Sequence, residues 1–259
     1  MWGQGAGLYG TVVTDCLEAV ARLIEAEEFG SRATVVAGPA IGQSAVIQDR
    51  QLTTGELPPD IVADVIADAS ALLERERSLT LSYSAQEVYI ESLTPRPHLV
   101  IFGAVHIAQE LIPMARQLGF HITVSDARSA FTTPERFPDA DRLLVGWPDQ
   151  IDLEFDRRTY VVVLSHDARF EDPLWPLVLP AAVAYIGAMG SSKTAARRRE
   201  KLLADGFGPE QIGRIHGPIG LSIGAETPAE MAVAILAEIV ESRARPGVPL
   251  ELRGEVTVL

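Results

Sequence analysis

Residues 99–128 read LVIFGAVHIAQELIPMARQLGFHITVSDAR. A hydrophobic run ends in a glycine turn, a segment with apolar residues at helical spacing follows, and a second hydrophobic run closes on an acid. This is the order of strand, tight turn, amphipathic helix and strand that opens a dinucleotide-binding unit. That unit needs small residues at three places: one for the turn, one for approach to a pyrophosphate, one for packing helix on strand. Gly103 fills the first and Ala108 the third, with Ala104 between Gly103 and the second place. Val105 occupies that second place, and its isopropyl group takes space that a diphosphate needs. Asp126 stands where a ribose-binding acid belongs; it reads either as that ligand or as a polar residue closing a strand. His106, at the helix start, reads equally as an anion donor beside free helix N–H groups or as a residue packing the turn.

The same alternation continues downstream. HITVSD (121–126), DRLLVG (141–146), TYVVVLSH (159–166) and VAYIGAMG (183–190) are apolar enough to be buried on both faces. Helical segments separate them: one to about Leu118, a short one near 173–180, a basic one after Ser191, and a last one from Pro228 to about Ser242. The fold class expected is α/β, a Rossmann-like, doubly wound parallel sheet over 97–245. A smaller α+β domain over 1–93 precedes it, across the TPRP linker at 94–97. That first domain reads as a helix over 11–28, strands near 33–36 and 45–48 around the turn AGPAIGQ (37–43), and a helix over 59–76. A pair of strands, LTLSY (79–83) and EVYIESL (87–93), forms a possible hairpin. The opening MWGQGAGLYG reads as a loose glycine-rich leader without the basic and apolar regions of a signal peptide. The tail over 246–259 is polar and then strand-like, with no role assigned.

Composition narrows the function. Hydrophobic residues are 47% and charged residues 22% of the 259, and no run reaches the roughly 20 apolar residues of a membrane span. A net charge of −13 repels phosphate backbones, which argues against nucleic acid as partner. Cys16 is the only cysteine, so no internal disulfide or cysteine-based metal cluster can form, and a cytoplasmic setting is expected. Cys16 lies on an apolar stripe with Val13, Leu17 and Val20 and reads as a small buried hydrophobe.

Three further turns fall at the expected ligand edge of the sheet. Ser165, His166 and Asp167 follow one strand; side chains adjacent in sequence point apart, so ligand contact or a loop network fits better than a hydrolytic triad. Gly187, Gly190, Ser191 and Ser192 precede a helix carrying Lys193, Arg197, Arg198, Arg199 and Lys201. This reads as an anion or acidic-partner site, or as a solvated helix face. Gly217, Gly220 and Gly224 form a loop able to wrap a ligand or simply to turn. After it, Thr227, Pro228 and Glu230 spell a capping box.

Region 97–243 resembles the C-terminal domain of the XdhC/CoxI family, accessory proteins of molybdenum hydroxylases such as xanthine dehydrogenase and carbon monoxide dehydrogenase. The resemblance lies in LVIFGAVHIA, VSDAR, PERFPDAD, TYVVVLSHD, YIGAMGSSKTAARRREKL and HGPIGLSIGAETPAEMAVAILAEIV. More loosely, residues 30–80 are similar to the family's first domain through ATVVAGPAIGQSAVIQD. The resemblance implies a chaperone that binds molybdopterin, the molybdenum cofactor, helps its maturation and hands it to an apo-hydroxylase. It also implies a cysteine desulfurase as a second partner, a homodimer, and no catalytic or metal-ligating residue. The contacts implied are Gly103, Ala104, Val105, His106, Asp126, Ser165, His166, Gly187, Gly190, Ser191, Lys193, Gly220 and Gly224. Two departures stand out. The family turn reads glycine–alanine–glycine–histidine, with Val105 here at the third place, and the family's first-domain cysteines are missing near QLTTGELPPD (51–60). The readings left open are a cofactor accessory protein, an NAD(P)-dependent oxidoreductase, and a sensor or interaction protein. Val105 leads to the expectation that NAD(H) and NADP(H) do not bind tightly.

Overall fold

The computed structural model describes residues 6–165, 167–244 and 251–257, with the backbone alone for 6–14 and 244. It divides into two compact units. One holds the residues up to Pro95 and those after 250; the other is Arg96–Ala244.

The first unit opens with helix α1 (Ala6–Glu25), which starts earlier than the sequence suggests and takes in part of the presumed leader. Strands β1 (Gly30–Ala37), β2 (Ser44–Gln48) and β3 (Gln51–Gly55) follow, then α2 (Val62–Leu73), β4 (Leu79–Tyr83) and β5 (Gln86–Leu93). All of these strands pair antiparallel, and β4–β5 is a hairpin. β3 is a strand that periodicity does not announce: QLTTG carries one large apolar residue, and its exposed and half-buried positions mark a sheet edge. Helix α2 covers one sheet face through Val65, Ala69 and Leu72, with Ile61 just ahead of it. Helix α1 covers part of the other through Cys16, Ala19 and Leu23 against Val46.

The second unit contains β6 (His98–Phe102), α3 (His106–Gln117), β7 (His121–Asp126), β8 (Arg142–Val145), β9 (Thr159–Val163), α4 (Ala168–Glu171) and α5 (Trp175–Val178). It continues with β10 (Tyr185–Ala188), α6 (Ser192–Ala204), α7 (Pro209–Gly213), β11 (Ile215–His216) and α8 (Pro228–Ala244). Its six strands are parallel in the order β11-β10-β9-β6-β7-β8. In chain order within the unit this is 3-2-1-4-5-6, the doubly wound arrangement, with its switch point between β6 and β9. Alternation along each strand sends residues to opposite faces. Leu99, Ile101 and Val162 pack under α3 and α8, whereas Val100, Phe102 and Val161 pack under α4, α5 and α6. Ile101 and Phe102 are fully buried, and each such side chain contributes roughly 2 kcal/mol of transfer free energy. Because both faces are covered, the strands are apolar throughout, which is why they were legible as parallel strands.

After α8 the chain returns to the first unit, where β12 (Glu255–Val256) pairs antiparallel with β4. The first sheet then has six strands, in the order β12-β4-β5-β1-β2-β3. No helix among the described residues is long and apolar enough to cross a membrane.

Candidate functional site

Every turn singled out in the sequence of the second unit leaves the sheet at the carboxyl edge, where ligands of such folds bind. At the switch point Gly103 adopts φ +119°, and a Cβ there would lie 2.9 Å from the Ser165 backbone nitrogen. Only glycine lets the loop after β6 pass so close to the loop after β9. Val105 is extended (φ −104°) and caps α3, so its conformation tolerates a side chain, and that side chain lines a cavity of about 630 Å³. His106 is exposed at the first turn of α3 and does not line that cavity.

Asp126 is 4% exposed at the end of β7. Its carboxylate accepts from the Ala104 backbone N–H (2.8 Å), the Arg128 backbone N–H (3.0 Å), and Arg128 Nε (2.9 Å) and Nη2 (2.7 Å). Burial opposes its charge, but these hydrogen bonds from Arg128 and Ala104 outweigh it and hold the acid below the usual carboxylate range. Asp126 therefore ties the glycine turn to the end of β7. Arg128 stacks on Phe131, with Cζ 4.5 Å from the ring centre.

Across the same cavity Ser165 Oγ accepts from the Asp167 backbone N–H at 3.1 Å. Asp167 caps α4 and pairs with Arg169, whose Nη2 donates at 2.8 Å. Trp147 and Phe170 complete the wall. His166 lies outside the described residues.

A second cavity, of about 730 Å³, opens over β10 and β11. Gly190, Ser191 and Ser192 at the start of α6 form one side, and the loop from Pro218 to Ala225, with Gly220 and Gly224, forms another. Its lining contains no charged side chain. Ser191 Oγ accepts from the Thr194 N–H, capping α6. Gly187 sits inside β10 away from this wall; a Cβ there would meet Ile219 and Tyr185 at 2.5 Å, so the glycine lets the 217–224 loop lie against the strand. Lys193, in the first turn of α6, is exposed, as are Arg197 and Arg199 further along, and none of the three forms an ion pair with a described residue. The rest of the basic run is structural. Arg198 is 8% exposed and donates Nε to Glu171 at 3.0 Å, while Lys201 pairs with Asp172 and Asp205.

The loop over this cavity is anchored by a residue that sequence patterning alone does not single out. Glu238 of α8 accepts from the Gly220 backbone N–H (2.8 Å) and from the Tyr185 hydroxyl, and its Oε1 lies 3.4 Å from His216 Nδ1. Burial opposes the Glu238 charge, yet the bonds from His216, Tyr185 and Gly220 prevail and keep it ionised below its ordinary pKa. Burial, and then the same carboxylate, push the Tyr185 hydroxyl far above its ordinary value. A glutamate three residues after buried Ile235 was the available signal, since a charge on an apolar stripe needs partners. Arg128, Trp147 and Arg169 were also missed; an arginine two residues after the strand-ending acid was the visible hint. The predicted capping box forms, with Glu230 accepting from Thr227 N–H and Thr227 Oγ1 from Glu230 N–H.

Comparison with known proteins gives a consistent result. The model of the XdhC Rossmann domain matches residues 99–239. Over 163 residues the chain is 33% identical to a Bacillus subtilis (strain 168) protein named as a probable xanthine dehydrogenase subunit, covering 62% of this chain and 47% of that protein. Over 97 residues it is 31% identical to the "Molybdenum cofactor insertion chaperone PaoD" of Escherichia coli (strain K12), covering 38% of this chain and 30% of that one. The chain thus spans about half or less of the length of these curated relatives. A crystal structure described as a xanthine dehydrogenase from Bacillus halodurans superposes with a TM-score of 0.65 at 22% identity, over 89% of this chain and 65% of that one, and shows the shared fold.

Proposed function

The chain belongs to the XdhC family, and we propose that it binds the molybdenum cofactor and delivers it to an apo-hydroxylase of the xanthine dehydrogenase or carbon monoxide dehydrogenase type. The observation that carries this reading is the 730 Å³ cavity over β10 and β11, bounded by the Gly190–Ser191 turn and the Gly220–Gly224 loop. Its volume suits a small-molecule ligand. Its wall bears no carboxylate, so a pterin phosphate meets no fixed negative charge there despite the chain's −13. Ser191 and Ser192 lie at the start of α6, whose backbone N–H groups favour an anion, and Lys193 is exposed in the same first turn; Arg197, a turn further on, lines a separate groove beside Glu171 and Asp172. The bound group would supply the pterin dithiolene that holds molybdenum; this chain's part is to enclose and orient it.

Cys16, the sole cysteine, is fully buried, donates to the Ser44 carbonyl oxygen, and has its pKa raised by burial. A thiol so placed is a poor nucleophile. Sulfur for cofactor maturation would therefore come from a partner such as a cysteine desulfurase, and a homodimer is the default assembly.

Purified protein should retain molybdopterin, and the double reversal Lys193→Glu with Arg197→Glu should lower its affinity at least about tenfold, or ~1.4 kcal/mol. Unchanged affinity in that variant would remove the α6 start from the site. The dinucleotide reading fares worse, because Val105 lines the switch-point cavity. Micromolar binding of NAD(H) or NADP(H) would reinstate it.

A further inference from the structure

The parallel sheet consists of two mononucleotide-binding halves, β6–β8 and β9–β11; one cavity lies where the halves meet, lined from both, and the other lies within the second half. The pterin reading rests on the second, although Val105, Asp126 and Ser165, among the cofactor contacts that the resemblance implies, line the first. We propose that the switch-point cavity, between the ends of β7, β8 and β9, is a separate site for a single nucleoside monophosphate.

Three features carry this. The first is a surface for a base. Trp147, half-buried, and Phe170 have ring centres 6.0 Å apart at 49° and stand together in the cavity wall, offering aromatic area to a planar heterocycle. The second is a pair of held cationic forks. Arg128 donates Nε and Nη2 to Asp126, and Arg169 donates Nε and Nη2 to Asp167. A guanidinium has five N–H donors, so five minus two leaves three on each arginine, with no other described acceptor. A fork already fixed by a carboxylate loses less side-chain entropy when it binds phosphate. Each acid also neutralises its own arginine's neighbourhood, so the cavity is not net negative in a strongly acidic chain. The third feature is the limit on size. Val105 stands in the same wall and takes the place of a diphosphate, so one phosphate fits where two joined ones do not. This cavity lies at the switch point of the sheet, where such folds bind ligands.

The proposal is independent of the pterin reading, and titration calorimetry on the full chain separates them. The ligands are adenosine 5′-monophosphate, with inorganic phosphate, adenosine and NAD⁺ as parallel arms. Saturable binding of the monophosphate is expected, tighter than phosphate, adenosine or NAD⁺. Arg169, whose side chain is 82% exposed, can be changed without risk to the fold, and R169Q should weaken the monophosphate at least about tenfold. The Lys193→Glu, Arg197→Glu double variant should leave it unchanged. V105G should strengthen NAD⁺ binding several-fold. Absence of saturable monophosphate binding would overturn the proposal. So would an R169Q titration matching wild type, equal weakening by the α6 double variant, or wild-type NAD⁺ binding as tight as the monophosphate.

Discussion

At Asp126 one carboxylate receives four N–H donors, three from Arg128 and one from Ala104. The position of this acid at the strand end was readable from spacing alone, because chain geometry sets where a strand stops. Its partners were not, because they depend on how a side chain two residues on folds back. Asp126→Asn keeps the shape but removes the charge and one acceptor site, leaving Ala104 or Arg128 poorly matched. The expected cost is roughly 2 kcal/mol, read from urea midpoints at neutral pH. The pH dependence has a definite sign. The folded-state pKa of Asp126 lies below its ordinary 3.8, so its contribution is complete above that value and disappears as pH falls through the folded value. The gap between wild type and variant should therefore be constant from pH 7 to 5 and close under stronger acid. A gap that does not narrow as acid is added below that ordinary value would mean that packing, and not charge, holds the turn.

At the scale of elements, the legible parts were those with a repeated pattern. β6, β7, β9 and β10 are buried on both faces and announced themselves as apolar runs, and α8 showed its cap and its stripe. β3 and β11 did not: a two-residue strand such as Ile215–His216 has no period, and its existence follows from parallel pairing with β10. The 217–224 loop belongs between these cases. Its glycines were visible, and Gly220 needs its freedom, with φ +93° and Ala234 3.2 Å from a would-be Cβ. The group that fastens it, Glu238, sits 18 residues away on α8. Glu238→Ala removes the acceptor for Gly220, Tyr185 and His216 together. Exchange of the Gly220 amide should then accelerate by more than tenfold, equivalent to about 2 kcal/mol of local protection. Glu238→Gln retains an acceptor and should show a smaller effect. Equal exchange in wild type and Glu238→Ala would show that the loop holds its own shape.

At the scale of the whole chain, the least legible feature is that the C-terminal segment completes the first unit. Its partners lie far back in sequence, so no local pattern could reveal them. Asp68, 1% exposed on α2, accepts from the Tyr83 hydroxyl (2.7 Å) and from the backbone N–H groups of Arg253 (2.7 Å) and Gly254 (2.8 Å). Thr257 N–H donates to the Thr80 carbonyl at 3.0 Å, and Ser82 Oγ meets Thr257 Oγ1 at 2.9 Å, extending the pairing of β12 with β4. A two-residue strand is a weak holder, whereas a buried carboxylate bonded to two consecutive N–H groups is a strong one. Deleting residues 245–259 leaves Asp68 with one of its three donors and turns β4 into a sheet edge. Two charge-assisted bonds set the loss at roughly 3 kcal/mol, all of it in the first unit. Hydrogen exchange resolved by segment should show β4 and β5 losing protection while β6, β7 and β9 keep theirs. Because the second unit carries its own core on both sheet faces, any molybdopterin binding shown by the whole chain should survive the deletion. Loss of protection in both units together would mean that the tail supports the whole chain and not the first sheet alone.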